Sequence, residues 1–153
     1  MGKARARSKE WRFDVSLQWD KGRQGTLTAE GKPELTVATP PDFQGPEGVW
    51  SPEEMCVASV NSCMMTTFLY YADKQDFSVA DYRSDAEGTV IFDEGTLRFS
   101  RIVVRPVVTL KSESDREDVE KALQLAESKC LVSNSLKADV EVEPRIELGD
   151  AAG

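Results

Sequence analysis

The sequence predicts an α+β fold in which antiparallel sheets wrap around one long, buried central helix. The predicted elements follow the order βββ-α-ββ-α-β with short loops and no βαβ rhythm, which is typical of antiparallel sheet. A charge-free segment, residues 55–72, is apolar nearly all round. The length of 153 residues, 40% of them apolar and 30% charged, fits one globular domain. We expect this single domain at residues 11–148, between a flexible basic N-terminus at 1–10 and a tail at 149–153.

The first elements are three short antiparallel strands between Trp11 and Thr39. Apolar and polar residues alternate from Phe13 to Trp19, as in a strand with one apolar face. Glycine-containing turns at residues 21–25 and 30–33 separate the strands. Residues 40–50 contain three prolines and two glycines, which predicts a loop.

The central helix begins at Ser51-Pro52-Glu53-Glu54, where a capping Ser, a Pro at the first helical position and a Glu at the third form a capping box. Because residues 55–72 carry no charge, we expect this helix to be buried on most sides. Polar residues such as Asn61 inside it argue against a membrane span. The charged residues 73–76 mark its end.

Two long strands, Phe77 to Phe92 and Thr96 to Leu110, follow as a hairpin around the turn at residues 93–95. A second capping box at residues 114–117 predicts an amphipathic helix that ends near Cys130. Residues 138–146 alternate between apolar and polar side chains and predict one last strand.

The composition excludes several chemistries. There is no histidine, so Ser-His-Asp and Cys-His hydrolysis and His-ligated zinc sites cannot form. The net charge of −8 argues against a nucleic acid partner. The three cysteines include no CxxC pair, which argues against a structural metal site or a secreted disulfide framework and favours a reducing cytoplasm.

The residues alone leave the role of each cysteine open. Cys63 lies in the middle of the central helix, where a thiol is either an inert core residue or a reactive group. Cys130 opens a stretch of small polar residues in which its thiol would be reachable, or it is structural.

Two segments resemble motifs of the OsmC/Ohr family, the osmotically inducible and organic hydroperoxide resistance proteins. Residues 51–63 resemble the central-helix motif, and residues 130–136 resemble the second-cysteine motif. The order of elements is similar over roughly residues 11–147. The resemblance implies an intertwined homodimer whose active sites combine both chains. It also implies a cysteine-based peroxidase without metal or bound cofactor, which reduces organic hydroperoxides to alcohols.

In that scheme Cys63 is the peroxidatic thiolate, Cys130 resolves its sulfenic acid as a disulfide, and an external dithiol such as a lipoyl protein or a thioredoxin-type donor reduces the disulfide. Burial alone would raise the pKa of Cys63, so we expect a cation nearby. The family's turn arginine corresponds to Arg23, and the glutamate that orients it corresponds to Glu53. Glu53 is ten residues from Cys63, roughly 15 Å along one helix. Either Arg23 therefore bridges that distance or Glu53 comes from a second subunit.

The sequence departs from the family pattern at two positions. Leu131 stands where a proline commonly follows the second cysteine, which would loosen the loop that presents Cys130. Cys56 has no family role and is either core packing or an alternative resolving thiol. A direct disulfide between Cys56 and Cys63 is excluded, because seven residues of helix rise about 10.5 Å.

Three functions stay open at this point. The first is a peroxidase for apolar hydroperoxides. The second is a redox-sensing or binding protein with little turnover, and the third is an enzyme acting on persulfides or electrophiles without Cys130 as resolver. Apolar residues are candidates for a substrate pocket: Phe43, Val49, Trp50, Met64 and Phe68.

Overall fold

The computed structural model of the protein describes residues 9–150, which form two compact units that meet in sequence between Pro52 and Glu53. Residues 1–8 of the predicted flexible N-terminus and residues 151–153 of the predicted tail lie outside the described residues. Each unit is described by itself below.

The first unit contains a three-stranded antiparallel sheet in the order β1-β2-β3. The strands are β1 (Ser16–Lys21), β2 (Gln24–Thr28) and β3 (Leu35–Ala38), which confirms the three predicted strands. The first strand begins later than predicted, because residues 11–15 do not pair with the sheet. The loop after β3 is held in place by the Ala38 N–H, which donates to the Trp50 carbonyl at 2.9 Å.

The second unit begins with the central helix, α1 (Pro52–Lys74), and its predicted start and end are confirmed. Its burial differs from the prediction. Only one stripe is fully buried, with a spacing of four residues: Val60, Met64, Phe68 and Ala72. Ser62, Thr66 and Tyr70 lie on the exposed side, so the charge-free helix is covered on one face in the single chain. Among the described residues, no helix is both long enough and apolar enough to span a membrane.

A long hairpin follows, formed by β4 (Val79–Asp93) and β5 (Thr96–Leu110) as predicted. Glu94 and Gly95 at its tip have φ angles of 48° and 79°, which fits a two-residue turn with both central residues left-handed. Strand β5 contributes four residues to the core that also contains Val60, Met64 and Phe68 of α1: Ile102, Val104, Val108 and Leu110.

The second sheet is mixed, which corrects the prediction of antiparallel sheets. The predicted last strand is two strands, β6 (Asp139–Val142) and β7 (Arg145–Leu148), and both run parallel to β5. Pro144 lies between them, and because it has no N–H it cannot donate to a continuous ladder. The segment from β5 to β6 is therefore a βαβ crossover that the sequence reading overlooked.

That crossover contains α2 (Arg116–Lys129) and a short helix, α3 (Leu131–Ser135), that was not predicted. The predicted capping box at residues 114–117 is wrong. Ser112 instead accepts the N–H of Ser114 at the start of a 3-10 turn, and Asp115 precedes α2 without a side-chain capping bond. The predicted end of α2 at Cys130 is confirmed.

Candidate active site at Cys63 and Cys130

Helix α1 presents the thiol of Cys63 at the edge of its buried stripe, where it is half-buried. Thr67 lies one turn further along the same face. Its hydroxyl donates to the Cys63 carbonyl at 2.7 Å and lies 3.9 Å from the Cys63 sulfur. The helix thus places a hydroxyl beside the thiol through its own periodicity.

The thiol of Cys130 is fully buried, with 0% exposure, so of the two alternatives left open by the sequence it is not the reachable one in the single chain. The reason is the amphipathic period of α2, whose buried face continues to Cys130 four residues after Ala126. The backbone is fixed as well: the Cys130 N–H donates to Ala126 at 2.9 Å, and its carbonyl accepts from Asn134 at 3.0 Å.

The structure brings Cys63 and Cys130 together, and the Cys130 side chain is one of the groups that lower the pKa of the Cys63 sulfur. The backbone N–H groups of Val132 and Leu131, at the start of α3, also donate to that sulfur. Burial is the largest single influence and raises the pKa of Cys63. The hydrogen bonds from Val132, Cys130, Thr67 and Leu131 together outweigh it, so the pKa lies below its ordinary value.

The pKa of the neighbouring thiol, Cys130, shifts in the opposite direction. Burial raises the pKa of Cys130, the proximity of Cys63 adds to the rise, and hydrogen bonds from Ser133 offset only part of it. The opposite shifts favour a Cys63 thiolate beside a Cys130 that keeps its proton. This arrangement combines a nucleophile with a protonated partner in contact with it. Hydrogen bonds account for the direction of the Cys63 shift in the single chain, and the cation expected near this thiol stays a prediction.

Arg23 lies in the first unit, in the turn between β1 and β2. Its Nη1 donates to the Phe43 carbonyl at 3.0 Å, so the exposed side chain is held against the loop after β3. It lines an open cavity of about 490 Å³ together with Lys21, Gln24 and Gln44. A second, largely apolar cavity of about 240 Å³ lies within the same unit, lined by Arg23 with Leu17, Trp19, Val37 and Pro52 among others.

Glu53 lies in the first turn of α1, ten residues before Cys63 on the same helix. It lines a cavity of about 390 Å³ in the second unit, formed by α1 and by strands β4 and β5. Its Oε2 atom is buried without a hydrogen-bond partner among the described residues. An unpaired buried carboxylate oxygen is costly, and it can still accept a hydrogen bond.

Sequence reasoning missed several contributors to the site. Leu131 and Val132 act through backbone N–H groups, which no residue-type motif reveals. The Thr67 contact was available from its i,i+4 spacing to Cys63. Two of the proposed pocket residues, Met64 and Phe68, are fully buried core residues instead.

The comparisons with known proteins place this chain in a family. The model of the family described as OsmC-like protein matches residues 45–145, and the chain belongs to that family. The Bacillus subtilis protein YmaD, described as uncharacterized, is 27% identical over 143 residues, which cover 90% of this chain and 95% of YmaD.

Solved structures show the same fold. An OsmC-like protein of unknown function from Vibrio cholerae has a TM-score of 0.78 at 25% identity, covering 88% of this chain and 99% of its own. A Legionella pneumophila protein described as an organic hydroperoxide resistance protein OsmC, predicted redox protein, has a TM-score of 0.71 at 20% identity, covering 92% and 99% of the two chains.

Proposed function

We propose that this protein is a thiol-dependent peroxidase that reduces organic hydroperoxides to alcohols. The observation that carries the proposal is the packing of Cys63 against the core cluster that contains Cys130, with the pKa of Cys63 lowered and that of Cys130 raised. Membership of the OsmC-like family, with relatives described as organic hydroperoxide resistance proteins, supports the same chemistry.

In the first step the Cys63 thiolate attacks the distal oxygen of R-O-O-H. The O–O bond breaks, the sulfur is oxidised to a sulfenic acid, and the departing alkoxide takes a proton to become the alcohol. In the second step the Cys130 sulfur displaces hydroxide from the Cys63 sulfenic acid. The thiol proton leaves with that hydroxide as water, and the two cysteines form a disulfide. An external dithiol returns both cysteines to thiols and becomes a disulfide itself, so the protein needs no metal or bound cofactor.

Arg23 and Glu53 are proposed as positioning groups for this reaction. A guanidinium donates in a fixed fork and is suited to hold peroxide oxygens. The Phe43 carbonyl already orients Arg23, and the unpaired Oε2 of Glu53 offers an acceptor for a guanidinium. We propose that the complete site forms in a homodimer, in the cytoplasm. The exposed apolar residues of the first unit and the uncovered face of α1 support assembly of two chains.

The proposal is tested by counting free thiols in denaturant before and after one equivalent of cumene hydroperoxide, with intact mass measured in parallel. We expect two of the three thiols to disappear and the mass to fall by about two units. Cys63→Ser should abolish both changes, whereas Cys56→Ser should leave them intact. Survival of all three thiols would refute the peroxidase proposal.

The second candidate is a redox sensor with little turnover, and the complete burial of Cys130 favours it, because a buried disulfide resists reduction. Repeated additions of hydroperoxide in the presence of a dithiol distinguish the two. Many turnovers identify the enzyme, and a single oxidation identifies the sensor. If Cys130→Ser leaves turnover unchanged, a cycle without a resolving thiol operates instead.

A further inference from the structure

The two sulfurs of the proposed disulfide are not equally open to a reductant. Cys63 is half-buried, whereas Cys130 has 0% exposure and belongs to the hydrophobic core cluster. Thiol–disulfide exchange requires the attacking sulfur to contact one sulfur of the disulfide while the other leaves. A dithiol can reach Cys63 from solvent, but contact with Cys130 would require the core to open.

Ser133 is positioned to stabilise a negative charge on the buried Cys130 sulfur. Its hydroxyl oxygen is buried and makes no hydrogen bond of good geometry in the part of the chain that the structure describes. The backbone N–H and the side chain of Ser133 both lower the pKa of Cys130, which places Ser133 beside that sulfur. The nearby Ser135 differs, because its hydroxyl donates to the Leu131 carbonyl at 2.8 Å. Once Cys130 becomes a thiolate, its sulfur is a strong acceptor to which the Ser133 hydroxyl can donate a hydrogen bond.

We propose that the reducing dithiol attacks Cys63 and that Cys130 departs as a thiolate held by Ser133. This inference rests on the proposed Cys63–Cys130 disulfide. A dithiol thiolate bonds to the Cys63 sulfur, the Cys63–Cys130 bond breaks, and its electron pair leaves with Cys130. The second sulfur of the dithiol, on losing its proton, then attacks the sulfur bonded to Cys63. The cyclic disulfide and the Cys63 thiolate are released, and Cys130 takes up one proton.

The acidity of the two thiols favours the opposite direction of attack, so the outcome of the reaction shows which effect prevails. The thiol with the lower pKa is the better leaving group, and by that criterion Cys63 would depart and Cys130 would be attacked. The difference in access acts in the other direction, since Cys130 has no exposed surface. The proposal therefore states that access, assisted by Ser133, prevails over leaving-group acidity.

The direction is tested by trapping the mixed disulfide. A Cys56→Ser protein is oxidised with diamide, which forms a disulfide without peroxide chemistry, and is then exposed briefly to 2-mercaptoethanol and quenched with excess N-ethylmaleimide. Trypsin separates the two cysteines, because Lys129 and Lys137 bound the Cys130 peptide. We expect the mercaptoethanol adduct on Cys63 and the maleimide on Cys130.

An adduct on Cys130 would overturn the proposal, as would failure of diamide to form the disulfide. If diamide forms the disulfide and cumene hydroperoxide does not, the peroxidase function fails while this test still decides the direction of attack.

The role of Ser133 is tested by the rate at which the monothiol opens the disulfide. Ser133→Ala should slow this step by about fivefold or more, and Ser133→Thr, which keeps the hydroxyl, should restore the rate. Ser135→Ala is the matched control and should leave it unchanged. The pH profile of Cys63 alkylation in the reduced protein should not move in Ser133→Ala, which separates this role from a general loosening of the site. An unchanged rate of opening in Ser133→Ala would contradict the assignment of Ser133.

Discussion

The reactivity proposed for Cys63 depends on single atoms that surround its sulfur. A half-buried thiol would ordinarily be a weaker acid than a free one. Here two backbone N–H groups, one thiol and one hydroxyl reverse the shift. Removing individual donors should therefore change the acidity of the thiol without disturbing the core.

Leu131 offers a clean way to remove one donor. Its side chain is 69% exposed, and its N–H donates to the Cys63 sulfur. It is also the first residue of α3, where a proline is compatible with a helix. Leu131→Pro should slow alkylation of Cys63 by iodoacetamide at pH 7 by about two- to tenfold, because one hydrogen bond contributes about 0.5–1.5 kcal/mol.

The control for this prediction is Leu131→Ala, which shortens the side chain and keeps the N–H. It should alkylate at the rate of the parent protein. Equal rates in the proline and alanine variants would mean that the Leu131 N–H does not tune the thiol. The family's common proline would then be chemically equivalent to leucine at this position.

A second prediction compares two thiols of the same helix. The pKa of Cys63 lies below its ordinary value, whereas burial raises that of Cys56. Because the thiolate is the reacting form, alkylation of Cys63 should persist to lower pH, and alkylation of Cys56 should decline at a higher pH. The alkylation rate of Cys63 is measured against pH in Cys56→Ser, and that of Cys56 in Cys63→Ser. Both measurements are made with Cys130 intact and again with Cys130→Ser added. Coinciding midpoints with Cys130 intact would contradict the arrangement of donors described for Cys63.

At the scale of elements, α1 and β4 approach closely at Gly88. A Cβ atom there would lie 2.6 Å from Val57 Cγ2 and 2.8 Å from the Phe99 ring. Gly88→Ala should therefore lower the free energy of unfolding by about 1–3 kcal/mol, because overpacking forces these side chains to shift. Urea unfolding measures the loss, with Thr89→Ala at the exposed neighbouring position as control. Adding Val57→Ala to Gly88→Ala should recover part of the lost stability. An unchanged free energy of unfolding in Gly88→Ala would show that Val57 and Phe99 move aside without cost.

The elements show how far the sequence alone could lead. The three short strands, the long hairpin and both ends of α1 were predictable, because alternation, glycine turns and a capping sequence are local signals. The parallel pairing of β6 and β7 with β5 was not, since it depends on contacts distant in sequence. The proximity of Cys63 and Cys130 came from the family resemblance, and the donors from α3 came only from the structure. The burial of Cys130 was within reach, since it continues the period of Val119, Ala122 and Ala126.

At the scale of the whole molecule, charged side chains join the C-terminal strands to the hairpin. Arg101 pairs with Glu141 at 2.6 Å, Arg105 with Glu143 at 3.1 Å, and Arg83 with Glu147 at 3.5 Å. Each pair is exposed to solvent and contributes little to stability alone. Exposed apolar side chains also lie in the first unit, among them Phe13 and Val15.

That surface leads to the prediction about assembly. Phe13 and Val15 are 90% and 73% exposed, and they precede β1 without pairing to the sheet. An exposed apolar series of this kind marks an interaction surface. We expect the protein to sediment as a dimer of its 17.0 kDa chain, and Phe13→Asp combined with Val15→Asp to shift it toward monomer. Phe92→Asp is the control, because Phe92 is 73% exposed at the hairpin and should leave the dimer intact. If Arg23 of one chain pairs with Glu53 of the other only in the dimer, the double variant should also lose peroxidase turnover, while the pKa of Cys63 should not change. A parent protein that sediments as a monomer at micromolar concentration would refute the proposed dimer.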